Sequence, residues 1–285
     1  MKLGSEAHKE LFCRSFMESH LRYEPSELPW PQLDAQALEI LRGIPFWTKA
    51  LDTEREAGVL VTAYGNLVED PILRDAIALQ GQEESRHSRL IQTLIDRYGI
   101  EMEERPPVEL PQNIEQAFTH FGFEECLDSF FAFGLFGLAR EAGFFPDQIF
   151  AIFDPILDEE ARHIVFFVNW FTYLQIQRGQ GFVGLRATKT LWHYGMALRN
   201  LIDAVGSGET SGSGFTATNA SAFTLDLTLE GFLTACLEEN QRRMSKFDPE
   251  LLQPQLMPRL ATLAFRTLQL RPRRKPRTVE SPNLS

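Results

Sequence analysis

Apolar residues recur every three or four positions along most of the chain, which is the spacing of one face of an α-helix. This pattern predicts a short helix over residues 6–22, followed by a proline-rich link over residues 24–31. A long helix is predicted from Asp34 to Glu69, with a kink at Pro45, because proline removes a backbone donor from a helix interior. No stretch alternates as a strand would, so the pattern indicates an all-α fold.

Helix-capping residues divide the central region into further long helices. Asp70 followed by Pro71 predicts a helix start, because aspartate caps a helix and proline suits its first position. This helix is predicted to end at Gly99. The next helix is predicted over residues 113–142, and another opens at Pro146.

The C-terminal third continues the helical pattern. Helices are predicted over residues 184–205, 225–247 and 249–270. The Gly- and Ser-rich segment 206–221 is predicted to be a flexible loop, and the Arg- and Pro-rich tail 271–285 is predicted to be disordered.

Composition narrows the class of protein. Phenylalanine occurs 23 times against 5 tyrosines, which predicts a thick apolar interior. The net charge of −11 disfavours nucleic acid and anionic membranes as partners. The 3 cysteines form no CxxC pair, so neither a disulfide framework nor a thiolate metal site is expected. No apolar run is long enough for a membrane span or a signal peptide, and a cytoplasmic location is expected.

Two pentapeptides, at residues 83–87 and 159–163, share the pattern Glu-Glu-small-Arg-His. The second glutamate and the histidine stand three residues apart, which places a carboxylate and an imidazole on one helix face. Surface ion pairs within each motif would not explain the apolar residues that follow both motifs. Buried Glu and His need a strong partner, and a divalent cation supplies one. We therefore predict metal binding by Glu84, His87, Glu160 and His163.

A site for two metal ions needs carboxylates from two more helices. On the helix before Asp70, both Glu54 and Glu56 lie about as far before the turn as Glu84 lies after it. Each residue advances a helix by about 1.5 Å, so this level alone does not decide between them.

The third helix offers several carboxylates. A ligand there must lie about as far before the turn as Glu160 lies after it. Glu141 meets this condition only if the fourth helix begins again at Pro155. Glu124 and Glu125 both stand immediately before an apolar helix interior, where an ionised side chain needs a reason to be, and Glu125 is preferred of the two. The carboxylates near the required level are Glu124, Glu125 and Asp128.

Over residues 40–175 the chain resembles the ferritin-like di-iron carboxylate superfamily. Residues 54–57 (Glu-Arg-Glu-Ala) and 84–87 (Glu-Ser-Arg-His) are similar to segments of cyanobacterial aldehyde-deformylating oxygenases, and so is the Glu-Cys pair at 125–126. In those enzymes the first glutamate of the earlier segment is a ligand, which implies Glu54 here. The spacing from the third-helix glutamate to the second motif is longer. It is similar to that of methane monooxygenase or ribonucleotide reductase subunits, so no single enzyme is indicated.

The resemblance implies a ferritin-like four-helix bundle over residues 34–178. The N-terminal helix and link (1–33), additional C-terminal helices (179–270) and the tail would flank it. It also implies two iron ions, as an Fe/Fe or Mn/Fe pair. The implied ligands are Glu54, Glu84, His87, Glu125, Glu160 and His163.

The resemblance further implies roles for the first glutamate of each motif. In the larger di-iron oxygenases a carboxylate at this position accepts a hydrogen bond from the opposite histidine. Glu159 would then orient His87, and Glu83 would orient His163. The alternative is a salt bridge from each of these glutamates to the arginine of its own motif.

The expected function is a di-iron oxygenase or oxidase that uses dioxygen or a peroxide on a small apolar substrate. One alternative is iron oxidation or peroxide removal, as in ferritins and rubrerythrins. Another is a helical interaction protein with a vestigial metal site. The expected partners are dioxygen, a small-molecule substrate, an electron-donor protein and a second copy in a homodimer.

Overall fold

The computed structural model describes residues 1–44, 46–143, 145–180, 188, 190–197, 199 and 228–269. Every regular element in these ranges is helical, so the all-α prediction is confirmed for this part of the chain. The predicted loop 206–221 and tail 271–285 lie outside the described residues, as does most of the predicted helix 184–205.

The helices follow one another in the order of the chain. A single 3-10 turn, Pro25–Glu27, comes between the first two, and residues 190–197 are also helical. The α-helices are α1 (Glu6–Glu18), α2 (Ala35–Gly43), α3 (Trp47–Gly65), α4 (Pro71–Tyr98), α5 (Ile114–Glu141), α6 (Asp147–Gln177), α7 (Leu229–Met244) and α8 (Leu256–Gln269).

The single helix predicted from Asp34 to Glu69 is wrong, because this stretch forms the two helices α2 and α3. Ile44 adopts the extended values φ −74° and ψ 117°. A residue before proline is driven out of the α-region by the pyrrolidine ring, so the helix ends instead of kinking. The last helix was also predicted too early, since α8 begins at Leu256.

The predicted boundaries of α4 hold. The Asp70 carboxylate caps the helix by accepting a hydrogen bond from Leu73 N at 3.2 Å, and it also binds Lys9 Nζ at 2.5 Å. At the other end Gly99 has φ 59°, a left-handed conformation that glycine adopts without strain.

Helix α6 runs through Pro155 without interruption. The fourth helix therefore does not restart at this proline, which removes the condition under which Glu141 was a competitive ligand. Glu141 is exposed at the last residue of α5.

A polar layer separates two apolar parts of the core. Along α4, Ile77 belongs to one part and Leu90 to the other, with the first Glu/His motif between them. Along α6 the order is reversed, from Ile156 to Ile164, so α4 and α6 run in opposite directions past each other. The two motifs consequently meet in the middle of the molecule. None of the described helices is both long and apolar enough to cross a membrane.

Candidate metal centre

Six carboxylate and imidazole side chains from α3, α4, α5 and α6 meet in this polar layer. They form two groups, and within each group one possible ligand atom per residue lies within 4.8 Å of the others. Glu84 and Glu160 belong to both groups, so these two carboxylates could bridge two cations. The role of the six residues as ligands stays a prediction. The groups are Glu54, Glu84, His87 and Glu160, and Glu84, Glu125, Glu160 and His163.

Both motif histidines turn Nδ1 toward the shared carboxylates. His87 Nδ1 lies 3.1 Å from Glu160 Oε1 and 3.4 Å from Glu54 Oε2. His163 Nδ1 lies 3.0 Å from Glu84 Oε1 and 3.5 Å from Glu160 Oε2. Each Nδ1 is buried and has no hydrogen-bond partner. A buried nitrogen among carboxylate oxygens, without a hydrogen bond, fits a position that a cation would occupy.

The other ring nitrogen of each histidine points away from the cluster. His87 Nε2 donates to Glu159 Oε2 at 2.9 Å, and His163 Nε2 donates to Glu83 Oε2 at 2.9 Å. These are the pairs that the resemblance implied. A neutral imidazole that donates from Nε2 carries its lone pair on Nδ1, so the two carboxylates favour the tautomer that a metal ion requires.

The arginine of each motif binds the first glutamate of the other motif. Arg86 Nη2 binds Glu159 Oε1 at 2.5 Å, and Arg162 Nη1 binds Glu83 Oε1 at 2.8 Å. Within the first motif the Arg86–Glu83 separation is 3.9 Å. The Arg86–Glu83 salt bridge inside the first motif is therefore a longer contact than the two pairs between the motifs. The arginines balance the first glutamate of each motif, Glu83 and Glu159, across the helix interface. We call these two side chains the outer carboxylates.

The inner carboxylates are the four glutamates of the two groups, Glu54, Glu84, Glu125 and Glu160, and their combined negative charge needs a counterion. Burial, together with the neighbouring Glu160 and Glu84, raises the pKa of Glu54 to about 7. Burial and the same neighbours hold the pKa of Glu125 well above its ordinary value. Burial lowers the pKa of His87, but the surrounding carboxylates outweigh it and the pKa is raised well above its ordinary value. Burial raises the pKa of Glu84 and Glu160 as well, but the two histidines outweigh it and both pKa values are lowered. Two divalent cations would balance the four inner glutamates.

The remaining sequence candidates lie outside both groups. Glu56 is exposed on α3, and because it is two residues from Glu54 its side chain lies on a different face of the helix. Glu124 and Asp128 on α5 line a cavity beside the cluster. Among the described residues, neither these carboxylates nor Glu141 belongs to a candidate metal group.

The cavity has a volume of about 260 Å³ and runs between α3, α5 and α6. At one end it reaches Glu54, Glu84, Glu125 and Glu160. Its other walls are mainly apolar, and those farthest along the helices from the cluster include Trp47, Phe145 and Phe150. An engineered apolar cavity of roughly 150 Å³ holds a benzene molecule, so this one has room for a larger apolar ligand.

The sequence interpretation missed the N-terminal segment, residues 16–23, which lies against the outer carboxylates. His20 Nδ1 donates to Glu83 Oε1 at 2.5 Å, and Tyr23 OH donates to Glu159 Oε2 at 3.0 Å. His20 with the two outer glutamates forms a third group of possible ligands. This group fits a cation less well, because both carboxylates are already paired with arginines.

No protein-family model, curated protein or solved structure matches this chain. Over its described residues the chain is all-helical, and it contains buried groups of Glu and His side chains that could hold metal ions. Any narrower assignment rests on the geometry of the site.

Proposed function

We propose that this chain is a ferritin-like di-iron carboxylate protein and that it acts as an oxygenase or oxidase on a small apolar substrate. The observation that carries the proposal is the pair of unpartnered, buried Nδ1 atoms facing the carboxylates Glu84 and Glu160. Four inner glutamates and two imidazoles, with no thiolate among them, are hard ligands that suit Fe(II) or Mn(II). An Fe/Fe or an Mn/Fe pair satisfies the same donors.

In this proposal one ion would be held by Glu54, Glu84, His87 and Glu160, and the other by Glu84, Glu125, Glu160 and His163. Two iron ions held in this way supply the redox chemistry for reducing dioxygen and oxidising a substrate. The protein holds the imidazole tautomers through Glu159 and Glu83.

The apolar cavity favours an oxygenase or oxidase over iron storage. It adjoins four of the inner carboxylates, so a ligand bound there would lie next to the metal ions. Iron oxidation for storage needs a route for ions, which acidic and polar walls would serve better than aromatic ones. Dioxygen, being apolar, would also partition into this space.

The proposal is tested by anaerobic titration of the purified chain with Fe(II), followed by exposure to dioxygen. We expect two equivalents to bind and dioxygen to be consumed, whereas the variant Glu84→Gln/Glu160→Gln should bind neither equivalent tightly. Glu56→Gln, at an exposed position on α3, is the matched control and should behave as the wild type. Binding of a single equivalent, or metal binding without any reaction with dioxygen, would contradict the proposal. Elemental analysis of the isolated protein distinguishes Fe/Fe from Mn/Fe.

A further inference from the structure

The N-terminal segment contacts both outer carboxylates and both motif arginines. The Tyr23 hydroxyl donates to Glu159, and the Arg86 guanidinium carbon lies 4.3 Å from the centre of the Tyr23 ring. On the other side, Arg162 Nε donates to Ser19 Oγ at 2.9 Å. The segment is therefore in contact with every group that orients the two imidazoles.

Tyr23 and the His87 imidazole are connected by a single shared acceptor atom of Glu159. Tyr23 OH and His87 Nε2 both donate to the same oxygen, Oε2 of Glu159, at 3.0 and 2.9 Å. Arg86 occupies Oε1 of that carboxylate. Because Tyr23 and Arg86 together hold the Glu159 carboxylate in place, removing the phenol loosens this carboxylate and weakens its hold on the His87 ring.

The contact at His20 is less direct. His20 Nδ1 donates to Oε1 of Glu83, an oxygen that also accepts from Arg162 Nη1 at 2.8 Å. His163 Nε2 has the other oxygen, Oε2, as its own acceptor. The two histidines of the cluster are consequently supported unequally, although their sequence motifs are nearly identical.

We propose that Tyr23 and His20 are positioning residues of the metal centre, acting through Glu159 and Glu83, and that they make its two metal positions unequal. Tyr23 controls the position at His87, and His20 has a smaller influence on the position at His163. This inference rests on the proposed dinuclear centre. It gives the N-terminal segment a role beyond covering the outside of the helices.

The competing explanation is structural, since a half-buried tyrosine hydroxyl needs a hydrogen-bond partner wherever it lies. The chain contains a matched control for it. Tyr173 OH on α6 also donates to a glutamate, Glu6 Oε1, at 3.2 Å, away from the cluster. Tyr173→Phe removes the same group with the same kind of partner.

The experiment is a stepwise titration of the metal-free full-length chain with Co(II), followed by visible absorption and calorimetry. Removing a direct partner of a metal-binding histidine commonly costs 10- to 100-fold in affinity, so the more remote Tyr23→Phe should weaken one of the two equivalents by about three- to tenfold. The absorption bands of that equivalent should shift, and the other equivalent should keep its affinity. Tyr173→Phe should leave both equivalents unchanged.

A second pair of variants tests His20 and covers the case in which Tyr23→Phe does not fold. His20→Leu removes the donor to Glu83 and should weaken the other equivalent, whereas His20→Asn, whose amide can replace Nδ1–H, should restore it. Wild-type binding constants and spectra in Tyr23→Phe, or in His20→Leu if Tyr23→Phe cannot be folded, overturn the proposal. So does an equal change in Tyr23→Phe and Tyr173→Phe. Failure of the wild type to bind two equivalents refutes the dinuclear centre before any variant is compared.

Discussion

The two ring nitrogens of each motif histidine have different surroundings, and this difference determines what a single substitution does. In His163, Nε2 is bound to Glu83 while Nδ1 faces the inner carboxylates without a hydrogen bond. The spacing of three residues between Glu160 and His163 already predicts that both side chains share a helix face. Spacing alone could not predict which ring nitrogen, Nδ1 or Nε2, faces the inner carboxylates. That choice depends on Glu83, which lies on another helix.

We predict that His87→Ala and His163→Ala each abolish the reaction with dioxygen and leave the helix content nearly unchanged. Either change removes one metal ligand, whereas the apolar layers on both sides of the site continue to hold the helices. Dioxygen uptake after anaerobic loading with Fe(II) and far-ultraviolet circular dichroism provide the two measurements. Full uptake in either variant would exclude that histidine as a ligand.

The choice of a carboxylate on α5 shows how precisely helix geometry alone could predict a ligand. The level of Glu160 relative to the turn pointed to the stretch that contains Glu124, Glu125 and Asp128. In the structure Glu125 lies with Glu160 and His163 in one group. Nearby carboxylates could not be excluded by level alone, since Glu124 and Asp128 differ from Glu125 by less than a turn.

We predict that Glu125→Gln loses the second equivalent of Fe(II), whereas Glu141→Gln keeps both. Glutamine preserves the shape of the side chain and removes its charge, so loss of binding reports on coordination and not on packing. Calorimetric titration under argon gives the stoichiometry of each variant. Two equivalents in Glu125→Gln, or one in Glu141→Gln, would show that the assignment on α5 is incorrect.

At the scale of whole elements, local signals predicted helix ends well where a capping residue was present. Asp70 and Gly99 mark the two ends of α4 as expected. The break between α2 and α3 was underestimated, since Pro45 was interpreted as a kink. The contact of the N-terminal segment with the metal centre has no local signal, because His20 and Glu83 are distant in sequence.

We predict that Asp70→Asn lowers the free energy of unfolding at neutral pH by about 0.5–1 kcal/mol, because it removes the charge that binds Lys9. Burial raises the pKa of Asp70, but Lys9 and the backbone N–H of Leu73 outweigh it, so the folded pKa lies below the unfolded one. The contribution is complete above about pH 4 and disappears as the pH falls through the folded pKa.

Urea unfolding at several pH values measures the effect of Asp70→Asn. The control is Asp34→Asn, which caps α2 through Ala37 N in the same way at an exposed position. A difference from the wild type that persists at about pH 2 would contradict the ionic explanation.

The contact between α5 and α7 depends on a residue without a side chain. A Cβ atom on Gly134 would lie 2.7 Å from the backbone nitrogen of Cys236, and a backbone atom cannot move aside as a side chain can. We predict that Gly134→Ala destabilises the protein by about 1–3 kcal/mol. Gly43→Ala, at the end of α2 with no atom near the new methyl group, should be neutral or slightly stabilising. Equal stability of the two variants would mean that α7 is not packed closely against α5.

At the scale of the whole molecule, the candidate metal centre is a charged layer between two apolar ones. Four inner glutamates are held there from four helices, and the outer pair is already balanced by Arg86 and Arg162. The sequence could predict that polar motifs lie within apolar helices. Counting residues from each turn also indicated that carboxylates of α3, α4, α5 and α6 lie at similar levels, whereas the lateral order of these helices is not encoded in local pattern.

This layer links metal binding to stability. In the metal-free chain burial raises the pKa of Glu54 to about 7 and that of Glu125 well above its ordinary value, so the folded form loses stability when these two carboxyl groups ionise. We predict that Co(II) at about 100 times its dissociation constant increases the free energy of unfolding by about 2.7 kcal/mol per independent site, because the ions bind the folded chain alone. In Glu84→Gln/Glu160→Gln the increase should disappear, because both groups of possible ligands lose their two shared carboxylates. Chemical unfolding with and without Co(II) measures all four states. An equal increase in the variant would assign the effect to surface binding.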